Sequence, residues 1–187
     1  DDSAFLAALA DGDDDTFPVY ADWLEDNGHE ARAAFLRAQE ACRRLTHRHK
    51  AFLPAARRAV HLGSVLPQSW LARVNRPRLP GTVWAGTDSG DAYYVWRFLG
   101  DGLIRYSSPT GDFESATYRQ VGPLVLIETN FHYASYEGWI AGRILRGWAA
   151  NVVASHWTWD VRLATERKAR ADAPYRERWN PRRRRRS

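Results

Sequence analysis

From Thr82 to Leu163 apolar and aromatic residues recur at every second position, and this period of two narrows the possible folds more than any other feature. The run "AYYVWRFL" sets Tyr94, Trp96 and Phe98 on one side of a strand and Tyr93, Val95 and Arg97 on the other. The tripeptide "GDG" then turns the chain into "LIRYSS", a good hairpin signal. Further turns at "PTGD", "VGP" and "AGR" separate the remaining runs, which predicts strands at 82–87, 92–99, 103–108, 116–120, 124–130, 134–141, 143–149 and 155–163. The links are too short for crossover helices, so parallel α/β folds are excluded. An antiparallel meander of about eight strands is expected, closed into a β-barrel or strongly curled, because closure removes exposed edges.

The first 78 residues carry a different period. "AFLAALA" is a short helix with Phe5, Leu6 and Leu9 on one side, capped by Asp2 or Ser3 and ended by Gly12. Asp15 is placed to cap a second helix, and Pro18 falls in its first turn, where the missing N–H costs nothing. Phe17, Tyr20, Ala21 and Leu24 then repeat at i, i+3, i+4 and i+7 as one buried stripe with Trp23 at its border, until Asn27 and Gly28 stop it. A third helix from about Glu30 carries Ala34, Phe35, Ala38, Cys42 and Leu45, so the two helices form an αα-hairpin. Glu25 and Asp26 stand at the negative end of the second helix, which calls for a compensating cation such as Arg32. "NRPRLPG" marks a boundary near 75–81.

The expected fold class is therefore α+β. Residues 1–78 form a helical region, with the hairpin at 4–45 and further helices at 50–74; residues 79–164 form the antiparallel β-barrel; residues 165–187 form a basic C-terminal tail.

Residues 4–39, "AFLAALADGDDDTFPVYADWLEDNGHEARAAFLRAQ", resemble the short repeat-companion domain multiplied in planctomycete proteomes. The resemblance rests on Ala10, Asp11, the acids at 13–15, the run Tyr20-Ala21-Asp22-Trp23-Leu24-Glu25, then Gly28, Phe35, Leu36 and Gln39. Gly12 stands where proline is common, and Ala31 and Ala33 replace a Pro-Arg-Gly-like start of the last helix. The resemblance covers about a fifth of the chain. It implies a bacterial N-terminal adaptor and supplies no catalytic residue. The second half is calycin-like in architecture only.

Charge is strongly segregated. Residues 1–30 hold ten acids and no Lys or Arg, residues 31–78 hold eleven Lys and Arg against one acid, and residues 161–187 hold eleven against three. The net charge of +5 averages over these blocks. The terminal run Arg182, Arg183, Arg184, Arg185 and Arg186 is a candidate polyanion site, since five neutralised duplex phosphates give a log-log salt slope of about −4.5. Only Tyr175 and Trp179 accompany it for base stacking.

Reaction chemistry is absent from the pattern. No P-loop, nucleophile elbow or dinucleotide fingerprint occurs. His47 and His49 diverge on a helix, and Cys42 has no CxxC partner, so neither a metal nor any other cofactor is expected. The carboxylates Glu114, Glu128 and Glu137 are isolated, with Glu128 expected to pair with Arg119 or face solvent. A single cysteine fits a reducing, cytoplasmic setting, and no run is long enough to span a bilayer. The expected function is that of a non-enzymatic adaptor for an unknown protein partner, with Tyr20, Asp22, Trp23 and Glu25 as contact residues. Two alternatives remain open: nucleic-acid binding through the tail, and a small-ligand site using the barrel aromatics Trp96, Trp157 and Trp159.

Overall fold

The structure, a computed structural model, describes residues 1–46 and 48–174. Five helices come first: α1 (Ser3–Ala10), α2 (Thr16–Asp26), α3 (Glu30–Arg43), α4 (Phe52–Gly63) and α5 (Gln68–Val74). Eight strands follow: β1 (Val83–Asp88), β2 (Tyr93–Phe98), β3 (Leu103–Ser108), β4 (Gly111–Val121), β5 (Leu124–Thr129), β6 (Ala134–Ala141), β7 (Ile144–Asn151) and β8 (His156–Ala164). A sixth helix, α6 (Glu166–Asp172), lies within the stretch read as tail. The strands pair in sequence order and close into a barrel, so the α+β class with an antiparallel meander holds. Only β4 departs much from its expected span, beginning at Gly111 because the "TG" turn is tighter than the four-residue link allowed for.

Two compact units emerge. The first comprises Asp1–Arg78 with the short strand segments Arg119–Leu126 and Gly138–Gly142. The second comprises Leu79–Tyr118, Ile127–Glu137 and the chain from Arg143.

In the first unit the predicted stripe of α2 is fully internal: Phe17, Tyr20, Ala21 and Leu24 are buried against Leu6, Leu9, Phe35, Leu36, Trp70, Leu71 and Val74. Gly28 ends α2 in a Schellman arrangement, its own N–H donating to Glu25 O and the His29 N–H to Leu24 O at 2.8 Å. That geometry needs the positive φ of 75° that glycine adopts without strain. The capping expectation is corrected. Asp15 occupies the N-cap position without a side-chain bond, because the Asp13 carboxylate already accepts the Asp15 N–H and the Thr16 hydroxyl. Asp2 likewise serves a distant group, the Tyr20 hydroxyl at 2.7 Å, rather than the start of α1.

The second unit is organised by the inward row of the barrel. Trp84 faces Trp96 across β1 and β2, Trp96 faces Tyr106 and Phe98 faces Ile104 across β2 and β3. These side chains are nearly all inaccessible to solvent, as are Ile127, Leu145, Trp159 and Val161. Helix α6 belongs to this unit. Thr165 caps it by accepting the Lys168 N–H, Arg97 of β2 grips Glu166 through Nε and Nη2, and the Tyr93 hydroxyl donates to Ala169 O. Burial raises the Glu166 carboxyl pKa, but the bonds from Arg97 and Arg170 outweigh it and hold the group below the usual range.

Gly86 of β1 pairs with Val161 of β8, and the β8 backbone leaves no room for a side chain there. A Cβ there would lie 2.0 Å from the Asp160 carbonyl oxygen and 2.7 Å from Val161 Cα. Gly86→Ala therefore forces two backbone segments apart at the closing seam. We expect a loss of about 1–3 kcal/mol, toward the upper end, seen as a lower urea midpoint at unchanged m. An unchanged midpoint would mean that the seam yields freely.

Candidate functional site

Helices α2 and α3 leave a groove of about 270 Å³ in the first unit. Phe17, Pro18, Ala21, Leu36 and Ala41 supply its apolar lining, and Asp22, Arg37, Glu40 and Arg44 its charged edge. The edge is a set of linked ion pairs. Arg37 Nη2 donates to Asp22 at 2.9 Å and to Glu25 at 2.6 Å, while Glu40 takes Arg43 and Arg44 at 2.8 Å each. The Arg37 hydrogen bond holds the Glu25 carboxyl below its ordinary pKa. Arg37 thus compensates Glu25 at the end of α2, and not Arg32, whose guanidinium lies over the Trp70 ring at 5.3 Å. Both signs of charge border an apolar floor, which suits a short segment that inserts an apolar side chain and aligns its polar backbone or flanking charges with the edge.

A smaller recess of about 130 Å³ in the same unit is lined by Asp14, Gln39, Cys42, Arg43, Arg76, Pro77, Pro123, Ile140 and Gly142. Burial pushes the Cys42 thiol up to about 11, which leaves it protonated and unreactive at neutral pH.

The second unit gathers aromatic rings at one end of the barrel. Tyr136 stands edge-on to Trp96, Trp157 and Trp159, with centroids 5.0, 5.6 and 5.7 Å away. Trp96 stacks on Tyr106 and Tyr94, at 5.1 and 5.8 Å. The Tyr94 hydroxyl donates to Asp88 Oδ2 at 3.1 Å; Asp88 Oδ1 meanwhile accepts the Gly90 and Ala92 N–H groups. Tyr106 donates to Asn130 Oδ1 at 2.9 Å. Loops close this end: Ser89 N–H donates to Thr158 O, and Val152 N–H to Tyr133 O. Asn130, Phe131 and His132 are all left-handed, and Phe131 is 88% exposed.

Trp157 is the anomaly. Its indole Nε1 is enclosed without a hydrogen-bond partner, the one such side-chain atom found among the described residues. The Nε1 groups of Trp70, Trp84 and Trp159 donate to the Tyr20 hydroxyl, Thr82 Oγ1 and Trp148 O. Leaving a buried donor unmade costs about 1–3 kcal/mol.

Burial raises the tyrosines. Tyr94 moves to about 12 through burial and then the nearby Asp88 charge, Tyr20 to about 12 through burial, and Tyr136 upward through burial and then Tyr94. The folded chain therefore holds these protons more tightly than the unfolded chain, whose tyrosines titrate near 10. The resulting contribution to stability is complete below pH 10 and lost as the pH rises through about 12. Absorbance at 295 nm is expected to show part of the eight tyrosines ionising only together with loss of near-ultraviolet dichroism. Ionisation of all eight near pH 10 with the fold retained would refute this.

No family model, curated protein or solved structure matches this chain.

The residues singled out from the sequence fall into distinct places. Asp22 lines the α2–α3 groove and Glu25 reaches its edge through Arg37. Tyr20 is 0% exposed, so it belongs to the core and cannot touch a partner. Trp23 lies off the groove, half-buried, packed on Phe5 and Tyr20. Trp96, Trp157 and Trp159 do converge, on Tyr136. Arg182 to Arg186 and His47 lie outside the described residues. Glu128 pairs with His132 rather than with Arg119. Among the described residues no cluster of three or more His, Cys, Asp or Glu is placed to hold a metal ion, and no helix is long and apolar enough to cross a membrane.

Sequence reasoning missed the polar residues that build the first unit. Asn75 donates to Gln120 O and accepts the Gly122 N–H, while Gln39 donates to Val74 O and accepts the Arg76 N–H. Nothing in composition marks them. The groove was also missed, because its lining comes from the flank of the buried stripe.

Proposed function

We propose that this protein is a non-enzymatic interaction module whose helical unit receives a short peptide segment of a partner protein in the α2–α3 groove. The apolar floor of the groove, bordered by charges of both signs, is the observation that carries this reading. The likeness of residues 4–39 to repeat-companion domains, which act as N-terminal adaptors, supports it. Asp22, Glu25 and Arg37 then act as a charged edge that orients the segment, and Leu36 and Ala21 as the floor. The paired state of Asp22 and Glu25 argues against a simply basic partner, since their charge is already met by Arg37. The segment expected is an extended peptide with one bulky apolar residue beside a polar or mixed-charge flank. The buried, protonated Cys42 is consistent with a cytoplasmic setting.

The test is selection of peptides from a display library against the full chain, followed by titration of the best ligands. Ala41 is exposed and lines the groove, so Ala41→Trp fills it without touching the core. Affinity should fall about tenfold or more in that variant and upon Arg37→Glu, in keeping with the loss of one well-packed contact. Amide shifts should concentrate in residues 16–44. Peptides that bind Ala41→Trp as tightly as the parent, or no enrichment at all, would refute the groove as the docking site.

A further inference from the structure

We infer that the loop end of the barrel binds a small, neutral, planar molecule carrying a carbonyl acceptor, which takes the indole N–H of Trp157. Three observations converge, and none of them depends on the α2–α3 groove.

Trp157 is the second residue of β8, just after the 152–155 link, and pairs with Ala149 of β7. Its ring is half-buried while its Nε1 is wholly enclosed without a partner. Buried polar groups in folded proteins are paired with few exceptions, and an exception in a cluster of rings reads as a site for an acceptor. The Trp159 indole, two residues along the same inward row, shows the contrast by donating to Trp148 O at 3.1 Å.

The surroundings define the shape of the ligand. Tyr94, Trp96, Tyr136, Trp157 and Trp159 present faces and edges within one another's reach, so a flat ring is the shape they contact best. An eight-stranded barrel has an interior wide enough for one small ligand at most. Ala134 and Ala149 are the small inward residues on the strands that flank this end.

Electrostatics then define its charge. The cluster contains no Lys or Arg, and Asp88, its nearest carboxylate, is already occupied by the Tyr94 hydroxyl and two backbone N–H groups. Burial keeps the tyrosines as neutral hydroxyls. A carboxylate or phosphate would enter without a counter-charge, at a large desolvation cost. A cation would meet the positive edge of the Trp157 N–H. A neutral ring with a carbonyl satisfies both the unmade donor and the faces.

Nitrogen-15 spectra of the tryptophan indoles, recorded on the full chain, test this with three probes of similar size: 2-quinolone, naphthalene and 2-naphthoate. Saturable binding of 2-quinolone is expected to move the Trp157 N–H signal downfield, with naphthalene about tenfold weaker or worse for lack of the acceptor and 2-naphthoate weaker still. Trp157→Phe keeps the ring and removes the donor, so it should lower the affinity for 2-quinolone about tenfold and leave that for naphthalene unchanged. The inference is overturned if 2-quinolone leaves the Trp157 signal unmoved, if the three probes bind alike, or if folded Trp157→Phe binds 2-quinolone as the parent does. Should that variant lose its near-ultraviolet dichroism, the ranking of probes on the parent protein still decides.

Discussion

Replacing Trp96 by alanine is expected to remove about 3–5 kcal/mol of stability, the largest effect of any single truncation in the barrel. Trp96 is 1% exposed and stands at the centre of the aromatic end, with ring centroids of Tyr94, Tyr106, Tyr136 and Trp159 at 5.8, 5.1, 5.0 and 6.3 Å. Truncation removes the transfer free energy of an indole and leaves a void. Its neighbours are strand-borne rings that collapse poorly, so the cavity persists. Chain stabilities are typically about 5–15 kcal/mol, so the variant should sit near the limit of folding. Its melting temperature should fall by about 6–20 °C, given about 2–4 °C per kcal/mol at this size. Trp96→Phe should retain most of the stability. A loss below about 1 kcal/mol for the alanine variant would show that the cluster is loosely packed.

The second large effect is expected at Arg76. Its side chain is only 6% exposed, and it holds three groups at once: Asp14 through Nε, the Asn75 carbonyl through Nη1 and the Leu9 carbonyl through Nη2. It also lies over the Phe17 ring at 5.4 Å. Burial lowers the guanidinium pKa while the Asp14 bond opposes it, so the charge is held at a desolvation cost. Arg76→Leu fills similar space yet strands two carbonyls, and a loss of about 3 kcal/mol in denaturant unfolding is expected. Arg76→Lys keeps the charge but cannot reproduce the planar fork, and should recover less than half of that. Full recovery by lysine would mean that the Asp14 charge pairing alone matters. Asp14 keeps Arg43 in either variant, which limits the penalty.

The same contrast between local pattern and distant pairing runs through the molecule. The meander was legible because strand period and turn chemistry are local: "GDG" and "AGR" bracket β2, β3, β6 and β7 within a residue or two of where they stand. The α2 stripe was legible for the same reason, and Phe17, Tyr20, Ala21 and Leu24 are all buried. The convergence of Trp96, Trp157 and Trp159 was partly legible, since alternate residues on closed strands must face one interior.

What the amino-acid order determined by itself was the type of each element, the inward row of each strand and the segregation of charge, all of which follow from spacings of two to four residues. Which charges meet was decided only by tertiary structure. Arg37 rather than Arg32 reaches Asp22 and Glu25, Asp13 rather than Asp15 serves the start of α2, and Tyr20 passes from candidate contact to core. Each outcome depends on how side chains from elements far apart in sequence are brought within about 3 Å of one another, which no local period encodes. The unpaired Trp157 N–H is the same kind of fact, visible only once every neighbouring acceptor has found its place.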